Sequence, residues 1–274
     1  MVYKNYLVVA NKRDRAGMNI ATQLSQFGNY KTYLLENEIL DEDNLDLEKI
    51  NKFDFVIFAS KHKSEKKEKT ISIHAPGNWR IAEFGGRDRQ VCRTSALFMK
   101  RMFEKLNENA KKYRLRDYKI TMECTHHGPL IDKPCIFAEI GSTEIEWGDK
   151  IASFVVARTI SEMIINFKEN PYHEIALGIG GPHYCPSFNR IQGGSNIAVS
   201  HVIPQYALPL TEDMIRQAID RTEEEIDFVL LDWKGLGSAE HRQEVVDVLD
   251  RLHINYKKTN GLSVVPPETS EDKD

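Results

Sequence analysis

The sequence predicts an α/β protein built on a mixed, largely parallel sheet flanked by helices. Three observations carry that expectation. Short apolar runs alternate with amphipathic helical patterns along the chain. Runs such as residues 6–10 and 228–231 are apolar at nearly every position, as strands covered on both faces are. Almost every such run ends in polar or glycine-rich residues, and ligands of open α/β sheets bind outside the carboxyl ends of strands.

The elements follow in order. Residues 6–10 form a strand. Asp14 is placed to cap a helix that carries Ile20, Ala21, Leu24 and Phe27 on one face and stops at Gly28. Residues 30–35, 53–59 and 70–74 read as strands. A helix spans about residues 95–113, with Met99, Met102, Phe103, Leu106, Ala110 and Tyr113 at helical spacing. Strands at 119–124 and 134–140 come next. Asp149 opens a helix whose residues Ile151, Phe154, Val155, Ile160, Met163, Ile164 and Phe167 leave little polar face. Residues 174–179, 197–203 and 228–231 are strands, and Thr211 and Ser238 open two further helices. With no linker and no internal repeat, one domain over residues 1–265 is expected, followed by an acidic tail at 266–274.

Composition narrows the function. The 274 residues carry a formal net charge of −4, which does not announce a nucleic-acid binder; DNA is not expected as a partner, and any RNA contact needs a local basic patch. No apolar run approaches the roughly 20 residues that span a bilayer. The chain enters a strand almost at once, unlike a signal peptide. Cys92, Cys124, Cys135 and Cys185 form no C-x-x-C pair and read as reduced thiols, so the expected compartment is the cytoplasm. No apolar stripe lacks a partner within the chain, which predicts a monomer.

Residues 122–130, Met-Glu-Cys-Thr-His-His-Gly-Pro-Leu, are the densest in chemistry. Imidazole and carboxylate groups move protons or hold a metal near neutral pH, and strand ends followed by turns present side chains to ligands. An isolated pair such as His126 and His127 more often faces opposite sides of a strand. The other strand ends shift that balance: Ser60-Lys61-His62-Lys63-Ser64, His74-Ala75-Pro76-Gly77-Asn78, Glu139 with Gly141-Ser142-Thr143-Glu144, Gly180-Gly181-Pro182-His183-Tyr184-Cys185, His201, and Asp232-Trp233-Lys234-Gly235.

Taken together these segments resemble the archaeal and plant type of D-aminoacyl-tRNA deacylase. The likeness runs from Ser60 to about Gln243, and Thr125-His126-His127-Gly128-Pro129 and Gly180-Gly181-x-His183-Tyr184 are its most specific parts. The resemblance implies hydrolysis of the ester between a D-amino acid and the terminal ribose of tRNA. It also implies a sheet similar to those of purine nucleoside phosphorylases and peptidyl-tRNA hydrolases, and a zinc requirement.

The residue inventory suits such chemistry. Ester hydrolysis needs an activated water, a stabiliser for the oxyanion and a grip on the substrate. The candidate zinc ligands are His126, His127 and His183, with Cys185 a fourth choice; the candidate catalytic residues are Glu123, Glu139 and His127. No H-E-x-x-H or C-x-x-C signature fixes the ligands, and Glu123 reads equally as a carboxylate that orients an imidazole. Thr125, Ser142, Cys124 and Cys185 are competing nucleophiles, but none sits in a G-x-S-x-G context.

The substrate-binding candidates are His74, Asn78, Gly180, Gly181, His201 and Lys234. The glycines can cradle a phosphate or ribose, although His183 breaks the G-x-G-x-x-G pattern. Asn78 can bond a carbonyl or the terminal adenine, or simply make a turn after Gly77. His201 lies among apolar neighbours and reads equally as a core histidine. Lys234 can meet a phosphate or only water. Lys61, Lys63, Lys66 and Lys67 are candidate tRNA contacts: residues 61–69 hold five lysines against two acids. A nucleosidase-like enzyme and a non-catalytic tRNA-binding factor are the competing functions.

Overall fold

The computed structural model describes residues 3–170 and 173–264. The acidic tail expected at 266–274 lies outside them. In chain order the elements are β1 (Tyr6–Asn11), α1 (Arg15–Leu24), β2 (Thr32–Leu35), α2 (Leu47–Ile50), β3 (Phe55–Lys63), β4 (Thr70–His74), α3 (Ala96–Lys112), β5 (Lys119–Met122), β6 (Cys135–Ser142), α4 (Glu144–Trp147), α5 (Lys150–Asn166), β7 (Glu174–Ile179), α6 (Pro186–Gly194), β8 (Ile197–Ile203), α7 (Glu212–Asp220), β9 (Phe228–Leu231), α8 (Ala239–Arg251) and β10 (Tyr256–Lys258).

The strands divide between two sheets, ordered β2-β1-β3-β6-β4-β5 and β10-β9-β7-β8. All pairings are parallel except that of β4 with β6. The mixed, largely parallel architecture flanked by helices is therefore as the sequence predicts. The division into two sheets is not legible there, because the alternation within a strand does not record its neighbour. One apolar cluster joins them, with Phe55, Ile57 and Ile140 of the first sheet and Ile175, Val199 and Phe228 of the second buried together with α3 and α5 residues such as Phe98 and Ile160. Burying each such side chain contributes about 1.5–3 kcal/mol.

The caps fall where the residue types place them. Asp14, Ser95, Asp149, Thr211 and Ser238 each accept a main-chain N–H in the first turn of their helix, relieving groups that have no partner within the helix. Boundaries move where tertiary pairing decides. Helix α1 stops at Leu24, and two single turns continue to Phe27. Strand β5 stops at Met122, short of Glu123 and Cys124. Strand β3 runs four residues beyond Ala59, through Lys63, because β6 pairs with it as far as Ser142. Helix α6 begins at Pro186, in a segment that reads as loop, with Cys185 left-handed at φ 48° before it.

Candidate active site

The site lies where the two sheets meet. Register places Ser60 of β3 beside Glu139 of β6 and His62 beside Gly141, while Ser72 of β4 lies on the other side of Glu139. With side chains alternating along a strand, Ser60, His62, Glu139 and Ser72 share one face. Gly141 makes room there, since a Cβ on it would stand 2.8 Å from both His62 Cδ2 and Thr70 Oγ1. The segment after β5 is stitched to both sides. Cys124 N donates to His183 O (2.9 Å), Thr125 N to Val202 O (3.0 Å) and Gly77 N to His127 O (2.7 Å).

Four imidazoles gather around this segment. Ring centroids of His74 and His126 are 4.2 Å apart, those of His126 and His127 also 4.2 Å, and those of His126 and His183 4.5 Å. Three of them use Nδ1 on a main-chain carbonyl: His74 on Ala75 (3.2 Å), His126 on Cys124 (2.8 Å) and His127 on Gly128 (2.7 Å). A carbonyl only accepts, so Nδ1 carries the proton and Nε2 presents its lone pair.

Two carboxylates complete the arrangement. Glu139 accepts from Ser60 Oγ (2.7 Å) and lies 3.4 Å from His62 Nδ1 and 3.9 Å from His127 Nε2. Glu123 accepts from His183 Nε2 (3.0 Å) and stands 3.2 Å from His62 Nδ1 and 3.4 Å from His126 Nε2. Tyr184 Oη lies 2.7 Å from His62 Nε2, within hydrogen-bond distance.

Environment divides the imidazoles into two kinds. Burial pushes His126 well below the usual histidine range, reinforced by its imidazole neighbours. Burial also takes His127 down to about 4. For His183 burial acts the same way, but hydrogen bonds to Cys124 and Glu123 outweigh it and push the ring up to about 10. His62 is raised too, burial being outweighed by Glu139 and Glu123. Burial disfavours charge on both carboxylates, yet the hydrogen bond from His183 holds Glu123 low, and the adjacent imidazoles, His62 first, hold Glu139 well below the carboxylate range. The site thus sets imidazoles whose neutral form is favoured beside imidazoles whose charged form is favoured, over two carboxylates whose ionised form is favoured.

A cavity of about 450 Å³ opens over this floor, lined by His62, His126, His127, Glu139 and His183, with Lys61 and Lys63 also on its wall. Glu123, with no exposed side chain, lies beneath the histidines and off the cavity. The expected ligand trio of His126, His127 and His183 is not one group. Donor atoms of His74, His126 and His127 converge within 4.8 Å, whereas His183 groups with Cys124 and His126, or with His62 and Glu123, because Glu123 holds its Nε2. Cys185 joins none of these groups; burial raises its thiol, which donates to His183 O.

Several substrate-binding candidates lie elsewhere. His74 is fully buried within the imidazole cluster. Asn78 turns inward, Nδ2 donating to Gly85 O (2.9 Å). Gly180 and Gly181 have left-handed backbone, and their N–H groups donate to Ile203 O (2.8 Å) and Gly235 O (3.1 Å), so they cannot cradle a phosphate. They are glycines because a Cβ would stand 2.9 Å from Leu236 and 2.8 Å from Asp232 respectively. His201 is a core residue between Thr125 Oγ1 (3.1 Å) and Arg221 O (3.4 Å). Lys234 is exposed and lines none of the three cavities that meet at His183. Lys66 lines one of those cavities, beside Lys63 and Lys119, while Lys67 is exposed outside them.

The competing nucleophiles are also off the main cavity. Thr125 accepts from Val202 N and meets His201; Ser142 donates to Glu68 O (2.6 Å); Cys124 packs against His183 and Tyr206. Sequence reasoning does not nominate His62, Ser60 or Tyr184 for a role. The signal for His62 and Ser60 is their spacing of two on one strand face, hidden when Ser60 onward reads as loop.

The donor set fits a divalent cation. His74 Nε2 and Glu123 Oε1 are buried without a hydrogen-bond partner, and three Nε2 lone pairs are aimed by main-chain carbonyls, as metal-bound histidines are.

An α/β protein with a histidine–carboxylate site at its strand ends is suited to proton-transfer hydrolysis. The comparisons specify which kind. A family model described as D-aminoacyl-tRNA deacylase matches residues 49–257. The D-aminoacyl-tRNA deacylase of Pyrococcus abyssi is 33% identical over 277 residues, covering 92% of this chain and 99% of its own. That of Methanocaldococcus jannaschii is 30% identical over 267 residues, covering 94% and 97%. A crystal structure described as "Conserved Protein of Unknown Function AF0625" superposes with a TM-score of 0.85 at 29% identity, over 94% of this chain and 96% of that one. The chain belongs to the D-aminoacyl-tRNA deacylase family.

Proposed function

We propose that the protein removes D-amino acids such as D-tyrosine from tRNA by zinc-dependent hydrolysis of the ester, proofreading translation in the cytoplasm. The observation that carries this reading is the gathering of His62, His126, His127 and His183 with Glu139 around one cavity.

The residues divide the work. Glu139 faces the cavity ionised and accepts a proton from the attacking water. His62 and His183, whose charged forms are favoured, stabilise the oxyanion as the carbonyl becomes tetrahedral. The carbon–oxygen bond to ribose then breaks, and the proton taken up by Glu139 passes to the ribose oxygen. Glu123 is a positioning residue, fixing His183 from below. His74, His126 and His127 would hold zinc through Nε2. A zinc ion there would supply positive charge able to polarise an ester carbonyl and acidify water.

Lys61, Lys63 and Lys66 line connected cavities beside the floor and would meet acceptor-end phosphates. Among the described residues no helix is long and apolar enough to cross a membrane. A single domain acting as a monomer completes the reading.

The test is release of D-tyrosine and L-tyrosine from matched tRNAs, by metal-stripped protein and after zinc is restored. Zinc-dependent release of the D-form alone is expected. Equal release of both forms removes the chiral role, and full activity without metal removes zinc.

A further inference from the structure

Phe84 stands at the rim of the cavity floored by His126 and His127, and lines it. Its side chain is nevertheless 67% exposed. An aromatic ring left in water beside a site forgoes the gain of burial until something covers it. The loop that carries it is fixed. Gly128 N, one residue beyond His127, donates to Phe84 O (2.9 Å), and Asn78 Nδ2 donates to Gly85 O (2.9 Å). Ala82 N donates to Asp88 Oδ1 (2.7 Å), and Arg87 pairs with Glu42 at 3.3 Å. Gly85 is left-handed (φ +68°) and so close to the chain that a Cβ would stand 1.8 Å from Leu40 O. The main chain that carries the ring is thus anchored to the segment that carries His127.

We propose that Phe84 is the stacking platform for the adenine base of the substrate's 3′-terminal nucleotide. This rests on the functional reading above, because an ester on the terminal ribose brings that ribose's own base to within one nucleoside of the reacting carbonyl. The aminoacyl group changes from one substrate to the next, whereas the terminal base does not. An exposed π-face on an anchored loop suits the constant group. Stacking needs no hydrogen-bond readout, and Lys61 and Lys63 on the wall of the same cavity are available to the adjoining phosphate. Asn78, committed to Gly85, serves the base indirectly by holding the platform.

The test compares the wild type with Phe84→Ala and Phe84→Trp, on D-tyrosyl-tRNA and D-alanyl-tRNA. Phe84→Ala is expected to raise KM for both substrates by roughly 5- to 150-fold, the range that corresponds to about 1–3 kcal/mol of stacking at about 1.4 kcal/mol per tenfold. The turnover number should fall far less than KM rises, because stacking is equal in the ground and transition states. Phe84→Trp should keep KM near the wild-type value. Calorimetry with adenosine 5′-monophosphate and ribose 5-phosphate gives a readout independent of catalysis. The wild type should favour the nucleotide, and Phe84→Ala should lose that preference. An unchanged KM in Phe84→Ala overturns the proposal, as does a rise confined to the tyrosyl substrate, which would assign the ring to the amino-acid side chain. If the wild type releases no amino acid, the functional reading falls first, and the calorimetric preference with its dependence on Phe84 still decides the platform.

Discussion

His74, His126 and His127 each direct Nδ1 to a main-chain carbonyl, which leaves Nε2 as the nitrogen open to a ligand. Replacing either of the two that reach the cavity should therefore cost function rather than fold. His126→Ala and His127→Ala are each expected to lower deacylation by roughly 100-fold or more, with little change in thermal midpoint. Steady-state kinetics and a melting curve on the same preparations check this; normal turnover in both would remove the site. His201 shows the opposite case, a histidine that serves the core. Burial lowers it to about 4, so the folded protein keeps the ring neutral while the unfolded chain, at about 6.5, takes up a proton first. The unfolded state binds more protons between those values, so stability contributed by the neutral ring is complete above about 6.5 and is lost as pH falls toward 4. The loss attributable to His201 at pH 5 is about 2 kcal/mol. Urea unfolding at pH 7 and pH 5 should show a smaller pH difference for His201→Gln than for the wild type, and identical differences would contradict the assignment.

Strands β3 and β6 carry the chemistry at the level of elements. Their register sets Ser60 against Glu139 and His62 against Gly141, so that one face of the sheet holds the proton-transfer groups. Gly141 is the weak point of that design, because any side chain there displaces His62. Gly141→Ala is expected to lower the turnover number by roughly tenfold or more, since ångström-scale misplacement is costly to catalysis. Circular dichroism should remain that of the wild type, and an unaltered turnover number would mean that His62 is not held by this contact. The polar residues 60–63 also show why β3 extends past its expected end. A polar segment reads as loop, yet Ser60 and His62 are buried by their neighbours across the sheet rather than by their own character.

Charge and cooperativity belong to the whole molecule. Residues 61–69 place Lys63 and Lys66 beside a cavity that opens on His62 and His183, while the chain as a whole is acidic at −4. Affinity for tRNA should therefore depend on a local patch. Charge reversal at Lys66 and Lys67 is expected to weaken binding and to flatten the dependence of log affinity on log salt, by about one unit for each phosphate no longer neutralised. Filter binding across a salt series reads this directly, and an unchanged slope would remove the patch from the tRNA interface. The apolar cluster shared by the two sheets leads to the expectation of one unfolding transition. Two transitions, resolved by calorimetry, would divide the chain instead.

The sequence by itself determined the α/β class, the order of the main elements and their caps, because apolar periodicity and N-terminal hydrogen bonding are local properties. Its motifs also carried the family, through Thr125-His126-His127-Gly128-Pro129 and Gly180-Gly181-Pro182-His183-Tyr184. Only the tertiary structure decided which of those residues meet. It set His74 with His126 and His127, placed Glu123 beneath the site and Glu139 on its wall, and turned Asn78, Gly180, Gly181 and His201 to structural ends. The physical reason is that strand register, ring tautomer and burial are fixed by partners far away in the chain. A residue's own neighbours in sequence carry no record of them.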